Sequence, residues 1–257
     1  MNKNDAEPDD APSPDPEPPL RIYRLKVTID SLAPPIWRCL EFPGDLPVDF
    51  LDHAIRTAFG WTGDHGSEFV IKGRRYGTPT NWLLDRDALF LVEERRIRRE
   101  HLSRKEERER LKALSVEVYG YSVFDEDAPE VGEQDEEEEI PLLCELVRRV
   151  RTKCRYRFDF GDDWRLTVEV ERIDPAEPGV EYPRCIDGAR ADPVEDCGGV
   201  WAHAEFIAAA KDPHHGCRER LLEWMGPKWD PEHFSVDEVN RRLRKAIPPP
   251  KGTATET

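Results

Sequence analysis

The stretch YRFDFGDDW, Tyr156–Trp164, decides how this chain folds. Aromatic and charged residues alternate up to Phe160, and Gly161, Asp162 and Asp163 then interrupt the pattern. Alternation resumes in WRLTVEVERI, Trp164–Ile173. Two period-2 runs joined by a Gly/Asp turn read as a β-hairpin. Three carboxylates, Asp159, Asp162 and Asp163, crowd its tip, which marks that tip as the first place to look for function.

Working outward, RIYRLKVTID (Arg21–Asp30) places Ile22, Leu25, Val27 and Ile29 against Arg24, Lys26 and Thr28, the pattern of a strand with one buried face. Pro34 and Pro35 end it, and Ile36–Phe42 reads as a second strand that can pair with the first. Pro47–Phe59 reads as a helix: Leu51, Ala54, Ile55, Ala58 and Phe59 share a face, and Gly60 suits its C-terminal cap. Glu68–Tyr76 reads as a further strand or hairpin, and Ile140–Val150 as a short helix. YPRCIDGARADPVEDC reads as a long loop. Three helices follow, at Trp201–Ala210, at Cys217–Met225, and from the Ser235 N-cap, with Glu238 three residues on, to about Lys245. The expected class is α+β, an antiparallel or mixed sheet with packed helices.

The chain has 257 residues, a net charge of −16 and 38% hydrophobic residues. Residues 1–19, rich in Pro, Asp and Glu, read as a disordered tail. Residues 20–247 read as one α+β domain, with an insertion at about 85–140, and 248–257 as a flexible tail. The insertion holds a charged helix, Glu93–Leu114, and an acidic loop, Asp125–Glu139, with ten carboxylates and no basic residue. The charge balance disfavours nucleic acid as a partner. The acidic loop suits a basic protein partner. No apolar run reaches the ~20 residues of a membrane span, and no secretory signal is visible, so the expected location is cytoplasmic with reduced cysteines.

IWRCLEFP, AIRTAFGWTGDH, YRFDFGDDW, YPRCIDGARADPVEDCGG and WDPEHFSVDEVN together resemble the plasmid pRiA ORF-3-like family, over roughly residues 21–82 and 140–245. The resemblance implies an α+β fold. It implies little about activity: some members carry labels as transposon-associated resolvases, and some relatives are joined to a DNA-binding domain. Three positions depart from the family pattern. His65 is followed by Gly66 where Leu is usual, GDDW by Arg165-Leu166 where Glu-His is common, and EDCGG by Val200-Trp201 where Gly-Tyr often stands.

Four constellations can carry chemistry. Asp159, Asp162 and Asp163, with Glu195 and Asp196 of PVEDCGG, offer oxygen ligands to a divalent metal, which can activate water for phosphodiester cleavage. The same residues suit turns and a helix cap, and that structural reading is favoured. Cys185 and Cys197 are a candidate thiol pair, for zinc with His53, His65 or His203, or for a disulfide. Without tight C-x₂₋₄-C spacing, packing is the better account. Asp64 and His65 follow Trp61 in a loop fit for acid–base work, but a His that fixes the loop by hydrogen bonding is the preferred reading. Seven tryptophans can stack with Arg on single-stranded nucleic acid, but Trp164, Trp201 and Trp224 read as core.

These readings converge on a non-enzymatic binding protein with a polar pocket formed by the GWTGDH loop, the GDD turn and the EDCGG loop. The alternative is a divalent-metal-dependent nucleic-acid hydrolase linked to mobile elements, with Asp159, Asp163 and Asp196 around one ion. No complete catalytic set decides whether the chain is an enzyme.

Overall fold

The computed structural model describes residues 20–62, 65–78, 102–119 and 141–247, with Phe90, Glu94 and Ile97. The expected tails, the acidic loop 125–139, Trp82 and Asp64 lie outside the described residues. Seven strands are present among these: β1 (Arg21–Ile29), β2 (Trp37–Pro43), β3 (Ser67–Ile71), β4 (Arg74–Thr78), β5 (Lys153–Phe158), β6 (Trp164–Pro175) and β7 (Arg184–Ala189). They form one sheet in the order β4-β3-β5-β6-β1-β2-β7. Every pairing is antiparallel. The helices are α1 (Val48–Ala58), α2 (Arg104–Tyr119), α3 (Leu143–Leu146), α4 (Gly199–Lys211), α5 (Arg218–Met225) and α6 (Val236–Ala246). The fold is α+β, as the patterning indicates. No described helix is long and apolar enough to cross a membrane.

The hairpin at the centre is the one the sequence announces: β5 and β6 pair from Lys153↔Glu169 to Phe158↔Trp164. β1 buries Leu25, Val27 and Ile29 in strict alternation. Tyr23 extends that alternation and Ile22 is buried beside it, while the register against β6 slips between Arg24 and Leu25, with Glu171 of β6 as the extra residue. α1 seats Phe50, Leu51, Ala54, Ile55 and Ala58 in the same core as Leu25, Phe42, Phe158, Trp164 and Leu166. Its end is a Schellman turn: Trp61 N–H reaches Arg56 O at 3.0 Å and Gly60 N–H reaches Thr57 O at 3.2 Å. Gly60 takes φ +74°, which favours a residue without Cβ.

Three expectations are corrected. Arg184–Ala189 is a strand, β7, not part of a loop; it pairs with β2 at the sheet edge. Its alternation is hidden because Asp187 and Gly188 interrupt it. The outer edge is met by Asn240 of α6, whose side chain takes both the N–H (2.7 Å) and the C=O (2.8 Å) of Cys185. That contact blunts an otherwise open edge. The helix expected over Ile140–Val150 is only the four residues of α3. Trp201 and Trp224 are not core residues: they are 81% and 43% exposed, while Trp164 is fully buried. α4 buries Gly199, His203, Phe206 and Ala209, a single helical stripe, and Trp201 falls off it.

The sheet is tied to its helices by a buried guanidinium. Arg38 on β2 has no exposed surface. Its Nε donates to Ala58 O (3.1 Å). One terminal nitrogen donates to Trp37 O and Ala189 O (2.9 and 3.0 Å), the other to Arg190 O and the Asp192 carboxylate (3.0 and 2.8 Å). All five N–H donors are used, which offsets the cost of burying the charge. Asp192 also pairs with Arg242 of α6 at 2.5 Å. This network joins the end of α1, β2, the segment after β7 and α6.

Candidate functional site

Register places three connections at one end of the sheet. β3 begins at Ser67 opposite Phe158, where β5 ends, and β6 begins beside it at Trp164. β7 ends at Ala189 opposite Trp37, the start of β2, at the same end. The α1–β3 loop, the β5–β6 turn and the β7–α4 loop therefore share that end. β7 lies four strand spacings from β5, about 19 Å at the usual separation. The β7–α4 loop returns across this distance to meet the other two.

Three contacts record the meeting. Glu195 accepts from the Thr62 N–H (3.0 Å) and from the Thr62 hydroxyl (3.2 Å). Asp162 accepts from the Gly198 N–H at 3.1 Å. His65 sits between two carboxylates, with Nε2 3.1 Å from Asp196 Oδ1 and Nδ1 3.8 Å from Asp159 Oδ2. The donor atoms of His65, Asp159 and Asp196 all lie within 4.8 Å of one another.

Each Asp of the β5–β6 turn does something different. Asp159, at φ +53°, accepts from the Gly161 and Asp162 N–H groups through Oδ1 (2.8 and 3.3 Å), leaving Oδ2 toward His65. Asp162 holds the β7–α4 loop. Asp163 is gripped by Arg165 (2.7 Å) and Arg157 (2.5 Å), on the two strands that flank the turn. Hydrogen bonds from Arg165, and then Arg157, hold its carboxyl below the usual range. The hairpin tip thus divides its carboxylates: Asp159 faces the site and Asp163 is occupied elsewhere. Asp159, Asp163 and Asp196 all take positive φ, a conformation that Asp tolerates better than most residues.

Beneath the polar layer lies a ladder of rings. Trp61 stacks on Phe59 (5.3 Å) and on Phe158 (4.7 Å), and is tilted against Trp164 (5.6 Å). Phe158 meets the edge of His65 at 5.8 Å. Trp164 meets His203 of α4 at 5.9 Å. His203 is buried, which pulls its imidazole down to about 4, and its Nδ1 accepts from the Val194 N–H at 3.3 Å. It is a neutral strut. Phe160, 52% exposed, lies over Gly66, where a Cβ would come within 3.0 Å of the ring. A side chain at this position would press on the ring, so the bare Gly66 is matched by the seat of Phe160.

No disulfide joins Cys185 and Cys197. Cys185 is on β7 with its thiol on Asp187 O (3.3 Å), and Cys197 has its thiol on Gly199 O (3.6 Å). Both are free thiols, and burial pushes each up to about 11. Neither belongs to a convergent donor set among the described residues. Patterning did not find Thr62, Arg38, Asp192 or Arg242. Only an arginine standing in a strand between apolar neighbours, as Arg38 does, hinted at a buried charge.

The family model for plasmid pRiA4b ORF-3-like protein matches residues 21–238, from β1 into α6. The chain belongs to this family. Among the relatives of this ORF-3-like chain is the uncharacterized protein y4hQ of Sinorhizobium fredii (strain NBRC 101917 / NGR234), 26% identical over 223 residues, which are 86% of this chain and 90% of that one. A protein of unknown function from Methanosarcina mazei Go1 (MM3350) has a similar crystal structure. Its TM-score is 0.55 at 26% identity, over 86% of this chain and 98% of that one.

Proposed function

We propose that the three-loop corner binds a divalent cation through His65, Asp159 and Asp196, and that the ion presents an anionic ligand. The chain would then be a metal-dependent binding protein. The observation that carries this reading is the convergence of one imidazole and two carboxylates within 4.8 Å. Mixed nitrogen and oxygen donors suit borderline and hard cations such as Mn²⁺. Donor atoms around one ion stand about 3–4 Å apart, given ligand distances of roughly 2.0–2.6 Å. The corner therefore has to close slightly. Asp196, with a side chain 66% exposed, can swing inward without unpacking anything. Three protein donors leave positions for water or a ligand oxygen.

Mn²⁺ titration of the intact chain tests this, by calorimetry or electron paramagnetic resonance. One equivalent should bind, and His65→Gln and Asp196→Asn should each weaken it by tenfold or more. If both variants bind as the parent does, or lose only melting temperature, His65 is a latch between loops and the cation reading fails.

Metal-assisted phosphodiester hydrolysis is the second reading, favoured by the open coordination positions. Against it, Asp163, the third carboxylate that reading calls on, is committed to Arg157 and Arg165. Cleavage of single-stranded DNA by the Mn²⁺-loaded chain, lost in Asp196→Asn, would favour the hydrolase over the binding protein.

A further inference from the structure

A second set of convergent donors lies apart from the three-loop corner. Glu205 stands on α4, and His215 and Cys217 stand in the turn that joins α4 to α5. Their donor atoms also lie within 4.8 Å of one another. The turn is built before any ligand arrives. His215 N–H bonds Asp212 O (3.1 Å), and Arg218 N–H bonds His215 O (2.9 Å). The Asp212 carboxylate accepts from His214 N–H (2.9 Å), and Arg218 reaches back to Ala209 O (2.9 Å).

The imidazole is oriented at both nitrogens. Nδ1 accepts the Cys217 N–H at 3.2 Å. An accepting Nδ1 in a neutral ring puts the proton on Nε2. Nε2 lies 3.5 Å from Glu205 Oε2, which is placed to receive that proton. The ring nitrogen with a lone pair therefore faces the Cys217 residue, and the carboxylate stands behind the ring. A histidine that ligates a metal commonly donates its other N–H to a carboxylate, which fixes the tautomer and raises its basicity.

We propose that His215 Nδ1 and Cys217 Sγ chelate a thiophilic divalent cation of the Zn²⁺ class, with Glu205 as the carboxylate that orients the imidazole. An incoming ion displaces only the long Cys217 N–H contact on Nδ1. Thiolate with imidazole selects Zn²⁺ or Cd²⁺ over Mg²⁺ and Ca²⁺, so this site differs in metal class from the oxygen-rich corner. The side chains are reachable: His215 is 25% and Glu205 59% exposed. The buried thiols Cys39, Cys154, Cys185 and Cys197 compete poorly, because burial disfavours their thiolates.

The test is Cd²⁺ titration of the full chain carrying His65→Gln and Asp196→Asn, which disables the three-loop corner. A thiolate-to-cadmium absorption band should rise to one equivalent. Adding Cys217→Ser or His215→Gln should abolish it, and adding Glu205→Gln should weaken binding about 10- to 100-fold. In the unmutated chain, one equivalent of Zn²⁺ should block iodoacetamide labelling of Cys217, read by peptide mass spectrometry. Absence of the band, its persistence in Cys217→Ser, or labelling of Cys217 unchanged by Zn²⁺ would each overturn the proposal.

Discussion

The carboxylate of Asp162 caps the Gly198 N–H at 3.1 Å, and its own carbonyl occupies the space a Cβ on Gly199 would need. One residue thus holds the β7–α4 loop with its side chain and excludes bulk from that loop with its backbone. Gly199 also takes φ +75°, a conformation that costs an L-residue about 1–2 kcal/mol before any clash. Gly199→Ala should lower stability by at least about 2 kcal/mol in urea unfolding. Gly216→Ala, where a Cβ meets nothing within 4 Å, should change it by less than about 0.5 kcal/mol. Equal effects at the two glycines would show that the close approach to Asp162 carries no energy.

Arg38 is the second point of leverage. Lys in its place keeps the charge but offers three donors where five are used. Arg38→Lys should destabilise the fold by about 3–5 kcal/mol, the usual result of leaving buried polar partners unmatched. Chemical denaturation of the variant against the parent measures it. A loss under about 1 kcal/mol would mean that water replaces the guanidinium contacts.

Two buried groups should tilt stability in opposite directions over the same pH range. His203 is held at about 4 by burial, below its value in an unfolded chain. Its contribution is complete above the unfolded value of about 6.5 and is lost as pH falls toward 4. Asp49 is pushed up to about 6 by burial. Its contribution is complete below the unfolded value of about 3.9 and is lost as pH rises through 6. Between pH 4 and 6 the two slopes oppose each other. Asp49→Asn should therefore steepen the loss of stability on acidification, and His203→Asn should flatten or reverse it. Melting temperatures of the three proteins across that range decide it, and parallel curves would contradict the assignment.

Asp163 and Asp196 are both exposed carboxylates of the corner, yet only one faces His65. Asp163→Asn removes a surface pair with Arg157 and Arg165, and such pairs contribute about 0–1 kcal/mol. Mn²⁺ affinity should change less than about fivefold in Asp163→Asn, against tenfold or more in Asp196→Asn. Equal losses would point to the field of the whole acidic corner instead of a coordination sphere.

The sequence by itself determined the local elements. Period-2 alternation delivered β1, β2, the β3–β4 hairpin and the β5–β6 hairpin. Helical spacing delivered α1, α4, α5 and α6, because side-chain direction repeats with fixed period along each element. It also named the three loops that meet, since turn chemistry concentrates Gly and Asp where backbone reverses. The edge strand β7 escaped it: Asp187 and Gly188 break the alternation, and the partners of its main chain, β2 and Asn240, are distant in sequence. Only the tertiary structure decided which carboxylate does what. Asp159, Asp162 and Asp163 look alike in YRFDFGDDW, but strand register puts Arg157 and Arg165 beside Asp163, the β7–α4 loop beside Asp162, and His65 beside Asp159. Arg157 and Arg165 are near Asp163 in the chain, but Gly198 is 36 residues from Asp162 and His65 is farther still from Asp159, and no local pattern encodes those two pairings.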